Sequence, residues 1–266
     1  MFTFDIAAAG FLFAAFFVEF ALILRHQPAP ELVRDIKANF LIGVCLVGVG
    51  VLMKGVEFSV FSVVYGVAFF KPALSWWLWV IGFFSCDFVH YFYHWVGHRT
   101  RLFWAAHVTH HSSEYLNLST GWRTNFFHLF YRFLFWAPLC LLGIPPAIVL
   151  FFESITAIQN FIVHTEKVGK LGVLDWLFNT PSNHRVHHGT NPEYIDKNLG
   201  GILMLYDHLL GTYAPEKAPP VYGITHNIDT HNPYTIITHE YRRLLQEFPK
   251  MNGIKAKLQY LLAPPQ

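Results

Sequence analysis

Sixteen of the 266 residues are histidine, and most of them fall in clusters. The first, His90-Tyr-Phe-Tyr-His94-Trp-Val-Gly-His98, repeats every four residues. That spacing stacks three imidazoles on one side of a helix, about 6 Å of rise apart. His107-Val-Thr-His110-His111 and His184-Arg-Val-His187-His188 share the form H-x-x-H-H, which puts positions i, i+3 and i+4 on one helical face. Thr180-Pro181 ahead of the third cluster reads as an N-cap followed by proline at the first helical position, so a short helix is expected there. Neutral imidazoles packed together without partners are costly near a membrane, and shared metal ions remove that cost. One zinc takes three or four ligands, too few for all the rings that converge. H-E-x-x-H is absent, so a metalloprotease lacks its general base; Glu-x-x-His is absent, which excludes the carboxylate-rich di-iron bundle pattern. Two metal ions with four or five nitrogen ligands each remain, and imidazole suits iron, zinc, copper and nickel alike. His26, His128, His208, His226, His231 and His239 stand apart and read as ordinary hydrogen-bonded histidines.

The elements that must position these rings are apolar. The chain is 53% hydrophobic and only 14% charged, with mean hydropathy +0.34, against roughly 25% charged in a soluble domain. A net charge of +2 gives no basic field for nucleic acid, so no nucleic-acid partner is expected. Residues 6–24 form an apolar run broken by Glu19, a carboxylate placed to reach the interface or a neighbouring helix. Met1 to Asp5 lack a positive n-region, which argues against a cleaved signal peptide. Residues 38–53 and 58–70 give separate second and third runs, the latter short for a span of about 20 residues. Pro72 opens a fourth, apolar through Cys86 and on past Asp87 to Tyr93. Pro145-Pro146 divides the next region into helices at about 126–143 and 146–163. This hairpin brings His164 and the third cluster back to the face of the first two. Arg25, Arg34, Lys37, Arg99, Arg101, Arg123, Lys167, Lys170 and Arg185 fall on that same side, which the positive-inside rule assigns to the cytoplasm. Cys45, Cys86 and Cys140 lie in apolar runs at unrelated spacings and are expected to be buried small hydrophobes. The tail at Pro264-Pro265 is expected to fray.

The expected fold is therefore an all-α integral membrane protein. It has four to six hydrophobic helices and a cytoplasmic, histidine-rich helical cap. One domain covers residues 1–266: membrane helices over 1–93, the first two histidine boxes over 94–125, a membrane hairpin over 126–164, and a cap with the third box over 165–266.

From Asp87 to about Tyr213 the sequence resembles the fatty acid hydroxylase/sterol desaturase superfamily of membrane di-iron enzymes. The resemblance is carried by DFVHYFYHWVGHRTRLFWAAHVTHHSSEYLNLSTGWR, QNFIVHTEKVGKLG and NTPSNHRVHHGTNPEYIDKNLGGILMLYDHLLGTY. Within it, IVHTE, NTPSNHRVHHG, IDKNLGG and VYGITH most resemble the alkylglycerol monooxygenase branch. In the family the second histidine of the first box lies six residues before a tryptophan; Trp104 then selects His98, with His94 as its partner. His90 stands where tyrosine is common, and Trp95 where arginine usually follows the first histidine. The resemblance implies His94, His98, His107, His110, His111, His164, His184, His187 and His188 as metal ligands. It leaves His90 and Asn160 as additional or supporting groups and Asp87 as a carboxylate that orients an imidazole N–H. Asn117, Glu114 and Arg123 resemble family positions after the second box, and no catalytic group beyond the ligands is singled out.

It further implies two iron ions, O2 as co-substrate and hydroxylation of an unactivated C–H bond of a membrane lipid. Electrons would come from an external reductant such as a tetrahydropterin. A sterol or fatty acyl hydroxylase or desaturase fed by a separate electron-transfer protein stays open, as does, outside enzymes, a metal transporter. The implied location is a bacterial inner membrane or a eukaryotic ER. Oligomeric state is not encoded in any of these motifs.

Overall fold

Long apolar runs with capped ends fold here into long helices. The computed structural model describes residues 2–265, with side chains from Gly10 onward. Met1 and Gln266 lie outside the described residues, so part of the signal-peptide reading does as well. Helix α1 covers Phe2–Arg25 and α2 covers Pro30–Gly66, the latter starting with a proline at its first position. Helix α3, Trp76–Arg99, and α4, Arg101–His111, are separated by extended Thr100. Two 3-10 turns, Leu118–Trp122 and Phe126–Phe130, lead to α5, Phe133–Leu141, and α6, Pro146–Ile162. The remainder carries the short helices α7, Val173–Leu177, α8, Pro181–His187, and α9, Leu205–Leu210. Helices α10, Pro233–Glu247, and α11, Gly253–Leu262, follow. No strand occurs among the described residues; Phe178 and Leu203 form one isolated antiparallel bridge. The all-α class is thus as expected.

The connections make the long helices antiparallel. Phe69 N–H donates to Leu141 O at 3.0 Å, so the loop after α2 meets the end of α5 at one pole. At the other pole lie the ends of α1, α3 and α6 that precede the histidine segments. Gly143 turns the chain between α5 and α6 at φ +98°, where a Cβ would stand 2.6 Å from Phe70 O. The shared core is apolar, with Phe61, Leu78, Cys86, Trp136, Cys140 and Ile148 in contact. Gly82 lets α3 and α6 close on each other, since a Cβ there would sit 2.5 Å from Ile148 Cγ2.

Several expectations are corrected. The runs 38–53 and 58–70 are one helix, α2, which is long and apolar enough to cross a membrane. Its interior Glu57 is buried and paired with Arg132 at 3.5 Å, which removes the reason to break the helix there. Arg132 also meets Glu153 of α6 at 2.7 Å. The first arm of the hairpin is not one helix over 126–143 but a 3-10 turn capped by Asn125 followed by the nine-residue α5. Cys86 and Cys140 are buried, whereas Cys45 is exposed on α2. Pro264 and Pro265 line the cavity described below.

Candidate metal centre

Each histidine cluster takes the helix its spacing implies. His94 and His98 occupy the last turns of α3; His107, His110 and His111 lie on α4. The third cluster lies on α8, where Thr180 Oγ1 accepts from Asn183 N–H, Pro181 starts the helix and His188 is its C-cap. His164 follows the end of α6. The rings sort into two groups. His94, His98, His107, His111 and His187 form one, and His110, His164, His184 and His188 the other, with the ligand atoms of each within 4.8 Å of one another. The groups adjoin, with the His111 and His188 rings stacked at 4.5 Å between centroids.

The contacts inside each group are nitrogen to nitrogen. His107 Nε2 lies 3.0 Å from His94 Nε2 and 3.1 Å from His111 Nε2. His164 Nε2 lies 2.9 Å from His184 Nε2 and 3.1 Å from both His110 Nε2 and His188 Nε2, while His184 and His188 stand 3.1 Å apart. A neutral imidazole has one N–H and one lone pair, so N–H···N bonds cannot serve three mutually close nitrogens at once. In the first group the protons are already placed elsewhere. His94 Nδ1–H donates to Leu199 O at 2.9 Å, His187 Nδ1–H to Lys197 O at 3.0 Å, and His98 Nδ1–H to Asp196 Oδ1 at 3.3 Å. His164 Nδ1–H likewise donates to Asn160 O. Those bonds turn the Nε2 lone pairs inward. His98 Nε2 and His187 Nε2 are buried with no hydrogen-bond partner, as donors awaiting a cation would be. Burial first, then neighbouring imidazoles, hold His107, His111, His184, His187 and His188 well below the ordinary imidazole pKa, in the neutral form that binds metal. Two nitrogens about 2.1 Å from one ion lie about 3.0 Å apart across a right angle and about 3.4 Å apart across a tetrahedral one. The closest spacings, 2.9–3.1 Å, are those of nitrogens that could share one ion.

A second layer fixes this arrangement. Asp196 and Asn198 take left-handed φ of 57° and 55°, which Asp and Asn tolerate better than most residues. The Asp207 carboxylate accepts Leu199 N–H and Gly200 N–H at 2.7 Å each, and Thr212 Oγ1–H at 2.7 Å. Asp87 does not orient an imidazole: it accepts Ile202 N–H at 2.8 Å and Leu203 N–H at 3.3 Å, holding the same loop against α3. Asp196, together with the Lys197 and Leu199 carbonyls, does the orienting instead. None of the three was assigned that role from sequence, although they lie in the IDKNLGG string; their partners are about 100 residues away in α3 and 10 in α8.

On the other side Arg123 is fully buried. Its guanidinium donates to Thr109 O, to Ser112 O and Oγ, to Asp35 Oδ1 at 3.0 Å and to Asn39 Oδ1 at 2.9 Å. It thereby caps the carbonyl end of α4 and ties it to α2. Asn117 builds a capping box on the turn just before Arg123, and Glu114 is exposed. Glu19 faces inward and accepts Leu118 N–H at 2.6 Å and Thr165 Oγ1–H at 3.1 Å, which locks α1 to the residue after His164. Arg185 of α8 pairs with Glu216 at 2.8 Å and donates to Thr165 O.

His90 belongs to neither group: its ring packs on His94 and Trp136, and Asn160 Nδ2–H approaches its Nε2 at 3.4 Å. Of the histidines read as ordinary, His128 donates to Asn125 O and His208 to Trp176 O. His226 and His239 line a cavity of about 320 Å³ that opens onto His98, His111, His187 and His188. That cavity also holds Glu240, a buried carboxylate whose nearest cation is Arg243 at 3.9 Å.

The sequence model of the family described as Fatty acid hydroxylase matches residues 79–212. The chain belongs to the fatty acid hydroxylase family. It is 39% identical over 216 residues to an alkylglycerol monooxygenase of Danio rerio, covering 80% of this chain and 48% of that protein. It is 37% identical over 189 residues to the Homo sapiens alkylglycerol monooxygenase, covering 71% and 42%. An ornithine lipid hydroxylase of Rhizobium tropici is 32% identical over 149 residues, 55% of this chain and 45% of that protein. The chain spans about half the length of the curated relatives it matches. No solved structure matches. Fatty acid hydroxylases are iron-dependent and membrane-associated, and the all-nitrogen donor groups of this chain are of a kind that holds such metal ions.

Proposed function

We propose that the chain is an O2-dependent di-iron monooxygenase that hydroxylates an unactivated C–H bond of a membrane lipid, most like alkylglycerol monooxygenase. The observation that carries this is the sorting of nine histidines into a group of five and a group of four, both opening onto one cavity. The first group would hold one iron through His94, His98, His107, His111 and His187, and the second the other through His110, His164, His184 and His188. Bound iron supplies the means to reduce O2, with two electrons from an external donor such as a tetrahydropterin, to the oxidising power that C–H hydroxylation requires. The protein supplies position and exclusion. The 196–199 loop fixes ring orientation, Arg123 fixes the end of α4, and Trp104 and Val108 line the cavity beside the rings. Helix α11 leaves Ile254, Leu258 and Leu262 exposed at a spacing of four, and the chain passes from it into Pro264 and Pro265 at the cavity wall. That stripe supports a lipid substrate whose alkyl chain lies along the surface that leads to the metals.

Helices α1, α2, α3 and the α5–α6 pair would be the membrane-embedded part. Arg25, Arg34, Lys37, Arg99, Arg101, Lys167, Lys170 and Arg185 all stand at the histidine pole, which supports a site that faces the cytoplasm. A metal-transit role is disfavoured because the ligands gather at the helix ends and not at mid-span. The test is metal content and O2 consumption in lipid nanodiscs with a 1-O-alkylglycerol and a tetrahydropterin. About two irons per chain, and lipid-dependent O2 uptake that is absent in His187→Ala, are expected. A folded wild-type protein with no bound metal overturns the centre. Two bound irons with no lipid-dependent uptake, under either a pterin or a reductase, overturn the activity.

A further inference from the structure

Helices α7 and α9 are built with their polar groups inward and their apolar groups outward. Asp207 of α9 is fully buried on the loop amides, while Leu209 and Leu210 are 70% and 60% exposed. On α7, Asp175 turns back to accept from Thr180 Oγ1 and Leu171 N–H, while Val173 and Trp176 are 71% and 57% exposed. The two helices form one unit. Met204 N–H donates to Leu177 O, Asn179 N–H to Ile202 O, and His208 Nε2–H to Trp176 O, with the His208 and Trp176 rings 4.9 Å apart. A contiguous apolar surface of this kind marks an interaction site.

Its position identifies the partner. Tyr206 of α9 donates its hydroxyl to Phe84 O at 2.7 Å and packs on Phe88 at 5.2 Å, far down α3 from the histidines at its end. From Trp76 to Phe84 is eight residues, about 12 Å of rise. A hydrocarbon layer about 30 Å thick that begins at Trp76 therefore extends beyond Phe84 and Phe88. Phe84 and Phe88 are themselves exposed, so the α7–α9 surface continues the lipid-facing side of α3.

We infer that α7 and α9 form a foot immersed in the leaflet on the histidine side, with Val173, Trp176, Leu209 and Leu210 in contact with lipid. The segment counted from sequence as an aqueous cap is thus in part a membrane element. Behind the foot lies the loop whose Leu199 O accepts from His94 and whose Gly201 leaves no room for a Cβ beside His90 and Asp87. The inference rests on the membrane reading above.

The experiment is spin-label accessibility in phosphatidylcholine–phosphatidylglycerol nanodiscs. Labels are placed singly at Leu209→Cys and Val173→Cys in a Cys45→Ser background, with Leu52→Cys on α2 as the lipid reference and Glu193→Cys as the water reference. The ratio of collisions with oxygen to collisions with an aqueous nickel chelate should match the Leu52 site at both foot positions, several-fold above the Glu193 site. Foot labels that behave like the Glu193 site while the Leu52 site stays lipid-like overturn the foot and leave the membrane reading intact. A water-like Leu52 site overturns both. Spin–spin broadening between labels of two chains assigns the face to a second copy and overturns the lipid contact.

Discussion

The five-histidine and four-histidine groups stand side by side and are held by different kinds of structure. In the first, His94, His98 and His187 hand their Nδ1 protons to the 196–199 loop, which Asp207 and Asp87 in turn hold in place. In the second, His164 donates to the carbonyl one helical turn back, and His110 Nδ1 and His184 Nδ1 are buried with no such partner. Three rings of the first group are thus oriented by a loop stapled from several sides, while the second group relies on the helices that carry it. The second group also has one ligand fewer. If both groups hold metal as proposed, the second would be the seat with more freedom to exchange it.

Ligand deletion sharpens this contrast most. His164 Nε2 contacts all three of its neighbours, so His164→Ala should remove about one metal per chain and lower turnover by more than about 100-fold. His98→Ala leaves four nitrogens in its group and should weaken that ion by about 10- to 100-fold without abolishing it. Metal analysis after graded chelation separates the two, and equal loss from both variants would break the comparison. Arg123 braces the end of α4, which feeds both groups. Arg123→Met leaves Asp35 buried without its cation and should cost about 3–5 kcal/mol in chemical denaturation, with both metals affected alike. Loss of one metal only would show that α4 is not the shared support.

Asp207→Asn should act on one side alone. It weakens the Leu199 and Gly200 amide bonds, costs about 1–3 kcal/mol, and should release the five-histidine metal first. The metal-free rings can be tested through pH. Burial, then the neighbouring imidazoles, holds His184 and His187 well below 6.5 in the folded chain. Below 6.5 the unfolded chain therefore binds more protons than the folded one, so the metal-free protein loses stability as pH falls through that value. Its Tm should be lower at about pH 5.5 than at about pH 7.5. The opposite slope would falsify the neutral-ring assignment.

What the sequence makes legible is what helix periodicity encodes. His94 and His98, the two H-x-x-H-H clusters and the Thr180-Pro181 start all follow from 3.6 residues per turn, and each lies where that period puts it. The sorting of nine rings into five and four is not periodic. His187 and His188 are adjacent in sequence yet belong to different groups, because successive residues on α8 point about 100° apart. Asp87 was given an imidazole partner on the strength of the resemblance, but the Ile202 and Leu203 amides reach it from another part of the chain. The continuity of α2 was hidden by Lys54 and Glu57, whose charge argues for a break until Arg132 is brought alongside.

Helix α2 has a consequence of its own. At 37 residues it is about 55 Å long, nearly twice the hydrocarbon thickness it has to cross. Its far end holds Arg123 through Asp35 and Asn39, and Arg123 holds the strut that bears His107, His110 and His111. If α2 crosses the bilayer as proposed, it acts as a gauge rod beside α3 and α6, and together they would set the elevation of the histidine groups over the bilayer midplane. If lipid chains are the substrate, the carbon that gets oxidised is chosen by the length of this rod as much as by the shape of the cavity. Inserting or deleting one turn in α2, α3 and α6 together would then move the oxidation along the chain.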